Sequence, residues 1–145
     1  MSLLSALSVS SSGMAAQRLR AELLVENMAN AETTRTPEGG PYRRKDAVFS
    51  SSPVDSPFSA VFQTEMNAFS TGVTVSDVVE DDGEPIKKYQ PGHPDADSAG
   101  YVSYPDINPV EDMVDLMSAT RGFQANVAAM SAVKDMLHRS IDLLR

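Results

Sequence analysis

The chain of 145 residues contains no cysteine, no tryptophan and no long apolar run. The absence of cysteine excludes disulfides, thiolate metal sites and a cysteine nucleophile. A membrane-spanning helix needs about 18 or more consecutive apolar residues, so we expect no membrane insertion. No basic residue precedes Arg18, and this predicts a protein that has no cleavable secretory signal.

Basic residues are scarce, with 12 Lys and Arg against 20 Asp and Glu and a net charge of −8. The only basic cluster is Arg43-Arg44-Lys45. Because a nucleic-acid site needs an extended basic face, we expect no nucleic-acid partner. The negative charge is concentrated in the middle of the chain, where residues 50 to 108 hold ten acidic and two basic side chains.

Residues for catalysis or metal binding are also few. The two histidines, His93 and His138, have no partner at metal-ligand spacing. The segment from Asp95 to Gly100 resembles the start of a calcium loop but has Ala99 at its fifth position. We therefore predict no catalytic residue, no cofactor, no metal site and no enzyme activity. One enzyme class considered, a cell-wall hydrolase, would need an acid/base pair, and the sequence offers no plausible one.

The N-terminal segment, residues 1–35, is predicted to be a coiled-coil helix. It has no proline, and its apolar residues recur at helical spacing: Leu3, Leu7, Met14, Ala21, Leu24, Met28 and Ala31. The serine-rich run before Gly13 contains poor helix formers, so we expect fraying or a bend there.

The C-terminal segment, residues 108–145, carries a stronger helical pattern. Asn108 can cap a helix that Pro109 begins, and Glu111 and Asp112 suit the first turn. A coiled-coil pattern follows: Met113, Leu116, Phe123, Val127, Met130, Leu137, Ile141 and Leu144. This helix can pair antiparallel with the first, but apolar positions such as Val110, Val114 and Met117 would lie outside one seam. Such extra stripes indicate packing into a multi-subunit layer.

Four prolines and the Gly39-Gly40 pair exclude a continuous helix in residues 36–59, which we predict to be a Pro/Ser-rich linker arm. Residues 60–107 are predicted to form a small acidic β-rich domain. Its β-like runs are 60–62, 72–79, 85–90 and 101–104, and Asp81-Asp82-Gly83-Glu84 is predicted to be a hairpin turn. The predicted fold is thus mainly α, with two long terminal helices paired as a coiled coil and a short irregular or β-hairpin middle.

Two motifs, one at each end of the chain, carry a family resemblance. The run Glu26-Asn27-Met28-Ala29-Asn30-Ala31-Glu32-Thr33-Thr34, followed by Tyr42-Arg43, resembles the N-terminal signature of bacterial flagellar rod and hook proteins, Asn-Leu-Ala-Asn-Ala-x-Thr-x-Gly-Tyr. Residues 35–41 form an insert in place of the Gly before the Tyr, as in the small proximal-rod members of that family.

The second motif is similar to the closing helix of the same family. It comprises Asn108-Pro109-Val110-Glu111-Asp112-Met113-Val114-Asp115-Leu116-Met117 and Arg121-Gly122-Phe123-Gln124-Ala125-Asn126. The turn before it, residues 100–108, is most similar to the proximal-rod members. Together the matching segments cover more than half of the chain.

The resemblance implies a structural subunit of the basal-body rod, exported without cleavage by the flagellar type III apparatus into an axial tube in the periplasm. Its implied partners are copies of itself, other flagellar rod proteins and the export apparatus. The implied subunit interface comprises Leu3, Leu7, Met14, Leu24, Asn27, Met28, Asn30, Met113, Leu116, Met117, Arg121, Phe123, Asn126, Val127, Met130, Leu137 and Ile141. Among these, Asn27, Asn30, Arg121 and Asn126 are polar groups able to fix register and partner choice.

The residues alone leave a second function open. A soluble helical adaptor or chaperone-like binding module would show similar heptads, and its helices would be complete in a monomer or dimer. A rod subunit would instead have terminal helices that need neighbouring subunits for full packing.

Overall fold

The computed structural model describes residues 3–53 and 71–143. Two long helices, α1 (Leu3–Ala29) and α2 (Pro109–Asp142), enclose four strands in the chain order. The strands are β1 (Lys45–Pro53), β2 (Thr71–Glu80), β3 (Ile86–Tyr89) and β4 (Tyr101–Tyr104). The predicted fold class, two long terminal helices with a small β region, is confirmed. The predicted β-like run 60–62 lies outside the described residues.

The two helices pack against each other in antiparallel directions. The Gly13 backbone lies against the Asn126 side chain, and Gln17, one turn later, lies against Gly122. Arg20 then approaches Asp115, with 3.4 Å between Nη2 and Oδ2. As residue numbers increase along α1, the numbers of the residues they contact on α2 decrease. This is the antiparallel pairing that the sequence predicts for helices within one chain.

The serine-rich run does not interrupt α1, which is continuous from Leu3 through Gly13 to Ala29, so the expected fraying is wrong. The bend stays a prediction. Ser8, Ser10 and Ser12 donate hydrogen bonds from their hydroxyls to carbonyls three or four residues earlier. These bonds satisfy the side chains within the helix. Gly13 lacks a Cβ where Asn126 approaches, so the residue that weakens the isolated helix permits close packing with α2.

The start of α2 confirms the capping prediction. Asn108 is the N-cap residue, and its Oδ1 accepts a hydrogen bond from the Val110 N–H at 3.2 Å. Pro109 occupies the first turn, where its missing N–H costs no helical hydrogen bond. The helix therefore begins where the sequence places it.

The line of contact on α2 lies one residue before the apolar stripe in the sequence. Asp112, Ala119 and Val133 are buried, and Asn126, at the same seven-residue spacing, is half-buried. Residues of the predicted stripe that stay exposed are Met113, Phe123, Val127 and Ile141. Small groups at Ala119 and Gly122 let the helices approach closely, which leaves the bulkier side chains on the outside of the pair.

The first sheet pairs β1 with β2 antiparallel and lies along α1. Its register runs from Lys45 opposite Glu80 to Pro53 opposite Thr71, with a bulge between Val48 and Phe49. The sheet is joined to the helix at Ser12, whose Oγ accepts a hydrogen bond from the N–H of Val73 at 3.1 Å.

The predicted hairpin turn at 81–84 is wrong, because β2 pairs with β1 and β3 pairs with β4. The acidic segment instead connects two separate sheets. Strand β1 offers β2 a much longer partner than the four-residue β3 does. The Ser50 and Thr74 hydroxyls, 3.1 Å apart, and the Ser76 hydroxyl, which donates to Val48 O, add cross-strand bonds to that ladder.

We expect Gly13→Leu to lower the free energy of unfolding by up to about 2 kcal/mol. A side chain there would collide with Asn126, and overpacking costs about 1–3 kcal/mol, partly offset by the better helix propensity of Leu, worth about 1 kcal/mol. Urea denaturation followed by circular dichroism measures the change. In an Asn126→Ala background the cost should shrink; an equal cost in both backgrounds would contradict close packing at this pair.

Candidate subunit interface

The side chains predicted to form the interface divide into internal and outward-facing groups. In the N-terminal segment, Leu24 and Asn27 are buried within the chain, Leu3 is exposed, and the other members are half-buried: Leu7, Met14, Met28 and Asn30. On α2, Leu116, Asn126, Met130 and Leu137 are half-buried, whereas the exposed members are Met113, Met117, Arg121, Phe123, Val127 and Ile141. The chain's own fold therefore uses part of the set and leaves the rest accessible.

Asn27 joins the end of α1 to the start of β1. Its Nδ2 donates to the Lys45 carbonyl at 2.9 Å, and its Oδ1 accepts from the Lys45 N–H at 3.0 Å. The same Oδ1 accepts from the Tyr42 hydroxyl at 3.0 Å, and Asn27 has no solvent exposure. The Asn27 side chain thus makes the two hydrogen bonds that a neighbouring strand would otherwise make to the N–H and carbonyl groups of Lys45.

The N-terminal family motif closes around this amide. Asn30 donates from Nδ2 to the Glu26 carbonyl and accepts from the Thr33 hydroxyl, which shapes the turn after α1. The Thr33 carbonyl accepts from the N–H of Tyr42. The separated parts of the motif therefore form one structural unit.

The surroundings of Tyr42 keep its hydroxyl group protonated. Burial raises the pKa of its phenol to about 12, and the negative charge of Glu26 adds to the effect. Lys45 pairs with Glu26 at 2.7 Å and lies over the Tyr42 ring. The hydroxyl consequently stays protonated around neutral pH and remains a donor to Asn27.

A buried carboxylate joins α2 to the same strand. Asp112 has no solvent exposure, and Arg44 Nη2 lies 3.0 Å from its Oδ1. The two groups are at ion-pair distance without hydrogen-bond geometry, and no described residue donates a hydrogen bond to either Asp112 oxygen. Burial raises the pKa of Asp112, while the Arg44 charge acts in the opposite direction.

Neither Arg44 nor Asp112 stands out from the sequence as a functional position. The sequence indicates for Asp112 only a favourable charge in the first helical turn. One signal was available: Asp112 begins the seven-residue series that continues through Ala119, Asn126 and Val133. A charged residue in such a series indicates a buried ion pair, but the partner could not be found before the position of β1 was known.

The face of α2 opposite its contact with α1 remains apolar and open. Val110 and Val114 are 72% and 56% exposed, and Met117, on the same face, is 50% exposed. Arg121 lies one turn further along, also exposed. Half or more of each of these apolar side chains is exposed, so this face is accessible to another molecule.

Within residues 3–53 and 71–143, no group of His, Asp and Glu side chains is arranged to hold a metal ion. The carboxylate of Asp97 accepts from the N–H groups of Ala99 and Tyr101, and Asp95 accepts from the Thr34 hydroxyl. The segment that resembles a calcium loop therefore uses its carboxylates to shape a turn. In the same described part of the chain, neither helix is long and apolar enough to cross a membrane.

We predict that Asn27→Asp lowers the free energy of unfolding by about 2–4 kcal/mol. The substitution replaces the Nδ2 donor by an oxygen facing the Lys45 carbonyl, and each buried group left without a partner costs about 1–3 kcal/mol. Asn30→Asp is the matched control, because it removes one local bond in a half-buried turn. Urea denaturation of both variants makes the comparison, and equal losses would argue against the special role of Asn27.

The stability of the wild-type chain relative to Asp112→Asn should rise as the pH falls from neutral toward 3.8, the ordinary value for Asp. A raised pKa means that the folded state binds the proton more tightly than the unfolded state. The ionised carboxyl therefore costs stability above the raised pKa, and protonation removes that cost. Urea denaturation across this pH range gives the difference between the two chains. If the stability of the wild type relative to Asp112→Asn instead decreased as the pH was lowered, the attraction between Arg44 and the ionised Asp112 would outweigh the effect of burial.

Comparison with known proteins agrees with the two motifs. A family model described as the C-terminal part of the flagellar basal body rod FlgEFG proteins matches residues 98–143. A flagellar basal-body rod protein FlgC from Borreliella burgdorferi is 40% identical over 153 aligned positions, which cover 100% of this chain and 99% of the relative.

Two further relatives carry the same name. The FlgC protein of Bacillus subtilis is 40% identical, with 94% of this chain and 95% of the relative covered. That of Escherichia coli O6:H1 is 36% identical, with 99% and 98% covered. This similarity extends over essentially the whole length of each chain. The chain therefore belongs to the FlgC family of flagellar basal-body rod proteins.

Proposed function

We propose that the chain is a structural subunit of the proximal rod, which polymerises through its terminal helices into the axial tube of the flagellar basal body. The tube would transmit torque and conduct exported subunits. The observation that supports polymerisation is the open apolar face of α2 at Val110, Val114 and Met117. Large exposed apolar surfaces mark sites of protein association.

In this proposal the partners are copies of the chain and other flagellar rod proteins. The terminal segments, residues 1–35 and 108–145, form the inner layer of the tube. The acidic segment 60–107 forms its outer part, and β1, within the segment 36–59 predicted to be a linker arm, belongs to the same part because it pairs with β2. Contacts of this kind are heterologous and build a helical assembly when their rotation does not close.

The proposed location is the periplasmic rod, reached through the flagellar type III export apparatus without cleavage of a signal peptide. The family is structural, which is consistent with a protein that is not an enzyme.

A soluble adaptor is less well supported. Its helices would be complete within the chain or a dimer, whereas here α2 contacts the rest of its own chain mainly along one narrow line. Relatives that match over nearly their full length are rod proteins by name. No structural observation favours the adaptor specifically.

Met117→Asp should abolish swimming while leaving the isolated chain folded. The half-exposed Met117 side chain can accept a charge in the monomer, but burying an unpaired charge between subunits is costly. The neighbouring exposed residue provides the control, Ser118→Asp. We would introduce each variant into a flagellated strain lacking its own FlgC and measure swimming and the amount of the chain in isolated basal bodies.

Circular dichroism of the two purified variants checks that both are folded. The expected result is normal swimming for Ser118→Asp and none for Met117→Asp, with matching spectra. Normal incorporation of Met117→Asp into basal bodies would contradict polymerisation through this face.

A further inference from the structure

Each helix carries an exposed stripe on the side opposite its contact with the other helix. The outer α2 stripe follows helical spacing and comprises Val110, Val114, Met117, Arg121, Ala125, Ala128 and Ala132. The outer α1 stripe comprises Leu4, Ser11, Ala15, Arg18, Glu22, Val25 and Ala29. Because the two stripes point away from each other, neither can cover the other within one chain.

The two stripes carry the charged groups for one ion pair between them, Arg121 on α2 and Glu22 on α1. Arg121 is the only charged residue of the outer α2 stripe, and no described residue forms an ion pair with it. The outer α1 stripe contains one cation, Arg18, and one carboxylate, Glu22, and their exposed side chains pair at 2.8 Å through the Oε1 atom of Glu22. Glu22 is therefore free to accept a second cation.

The side-chain sizes agree with the same pairing. If two such helices pack antiparallel with Arg121 opposite Glu22, positions seven residues away on either side also meet. This register brings two apolar pairs together, Val114 with Ala29 and Ala128 with Ala15, and places Met117 within one residue of Val25. Larger side chains thus meet at one end and small ones at the other, where the helices can approach closely.

We propose that the outer α2 stripe of one copy packs antiparallel against the outer α1 stripe of the next copy, with Arg121 paired to Glu22 across the boundary. The inference rests on the proposed rod function and specifies the contact that polymerisation would use. The contact is heterologous, because each copy contributes a different surface. It can be repeated from copy to copy, since the copy at each end of a row retains one unpaired stripe.

The absence of cysteine from the chain permits a direct test. Glu22→Cys and Arg121→Cys would be produced separately and together in a flagellated strain lacking its own FlgC. Basal bodies would then be isolated, oxidised and separated on a non-reducing gel. We expect a disulfide-linked dimer when both variants are present and none with either alone, because only facing Cβ atoms about 4 Å apart form the bond.

Thr120→Cys serves as the matched control for Arg121→Cys. It is the preceding residue and is also exposed, but it lies about 100° around the helix, given 3.6 residues per turn. Mixed with Glu22→Cys, it should give no dimer. A dimer of similar yield from Thr120→Cys would place a different face of α2 in the contact and overturn the proposal.

The remaining outcomes separate this contact from the rod function. A dimer from Arg121→Cys alone would indicate an isologous contact and overturn the proposal. Basal bodies that contain both variants in swimming cells, yet give no disulfide, would also overturn it while the rod function stands. Absence of the wild-type chain from basal bodies would overturn the rod function itself.

Discussion

The arrangement of helix, strand and turn depends on the side-chain amide of Asn27. It binds both backbone groups of Lys45 and the hydroxyl of Tyr42 from a fully buried position. A buried amide of this kind is stabilising only when its donors and acceptors are satisfied, and it is costly otherwise. Asn27 therefore specifies one position for β1 along α1, and an apolar residue of similar size could not do so.

The position of β1 in turn determines how α2 is held. Arg44, next to Lys45, reaches Asp112 in the first turn of α2 and also pairs with Asp46 at 3.1 Å. Polar contacts thus connect α1, β1 and α2 at one end of the helix pair. Toward the other end the contact relies on small groups, with Gly13 against Asn126 and Gly122 against Gln17. The polar contacts at the first end make the packing of the two helices specific, and the small residues toward the other end let the helices approach closely.

A narrow contact between two long helices has a functional consequence. Half or more of the Val114 and Met117 side chains remains exposed, so the folded chain retains apolar surface that association can bury. The free energy available from that burial is not spent on folding the single chain. Such a subunit is suited to a polymer, in which neighbours supply the missing contacts.

The sequence by itself determined the two helices, the cap at Asn108 and the family, because these depend on local spacing and on contiguous motifs. It did not determine that Ser8, Ser10 and Ser12 would be satisfied within α1, nor that β1 would take the place of β3 as the partner of β2. The positions of Asp112 and Arg44 were also decided only by the tertiary structure. Residues 68 positions apart in the chain share an ion pair there, and helical periodicity contains no information about contacts at that separation.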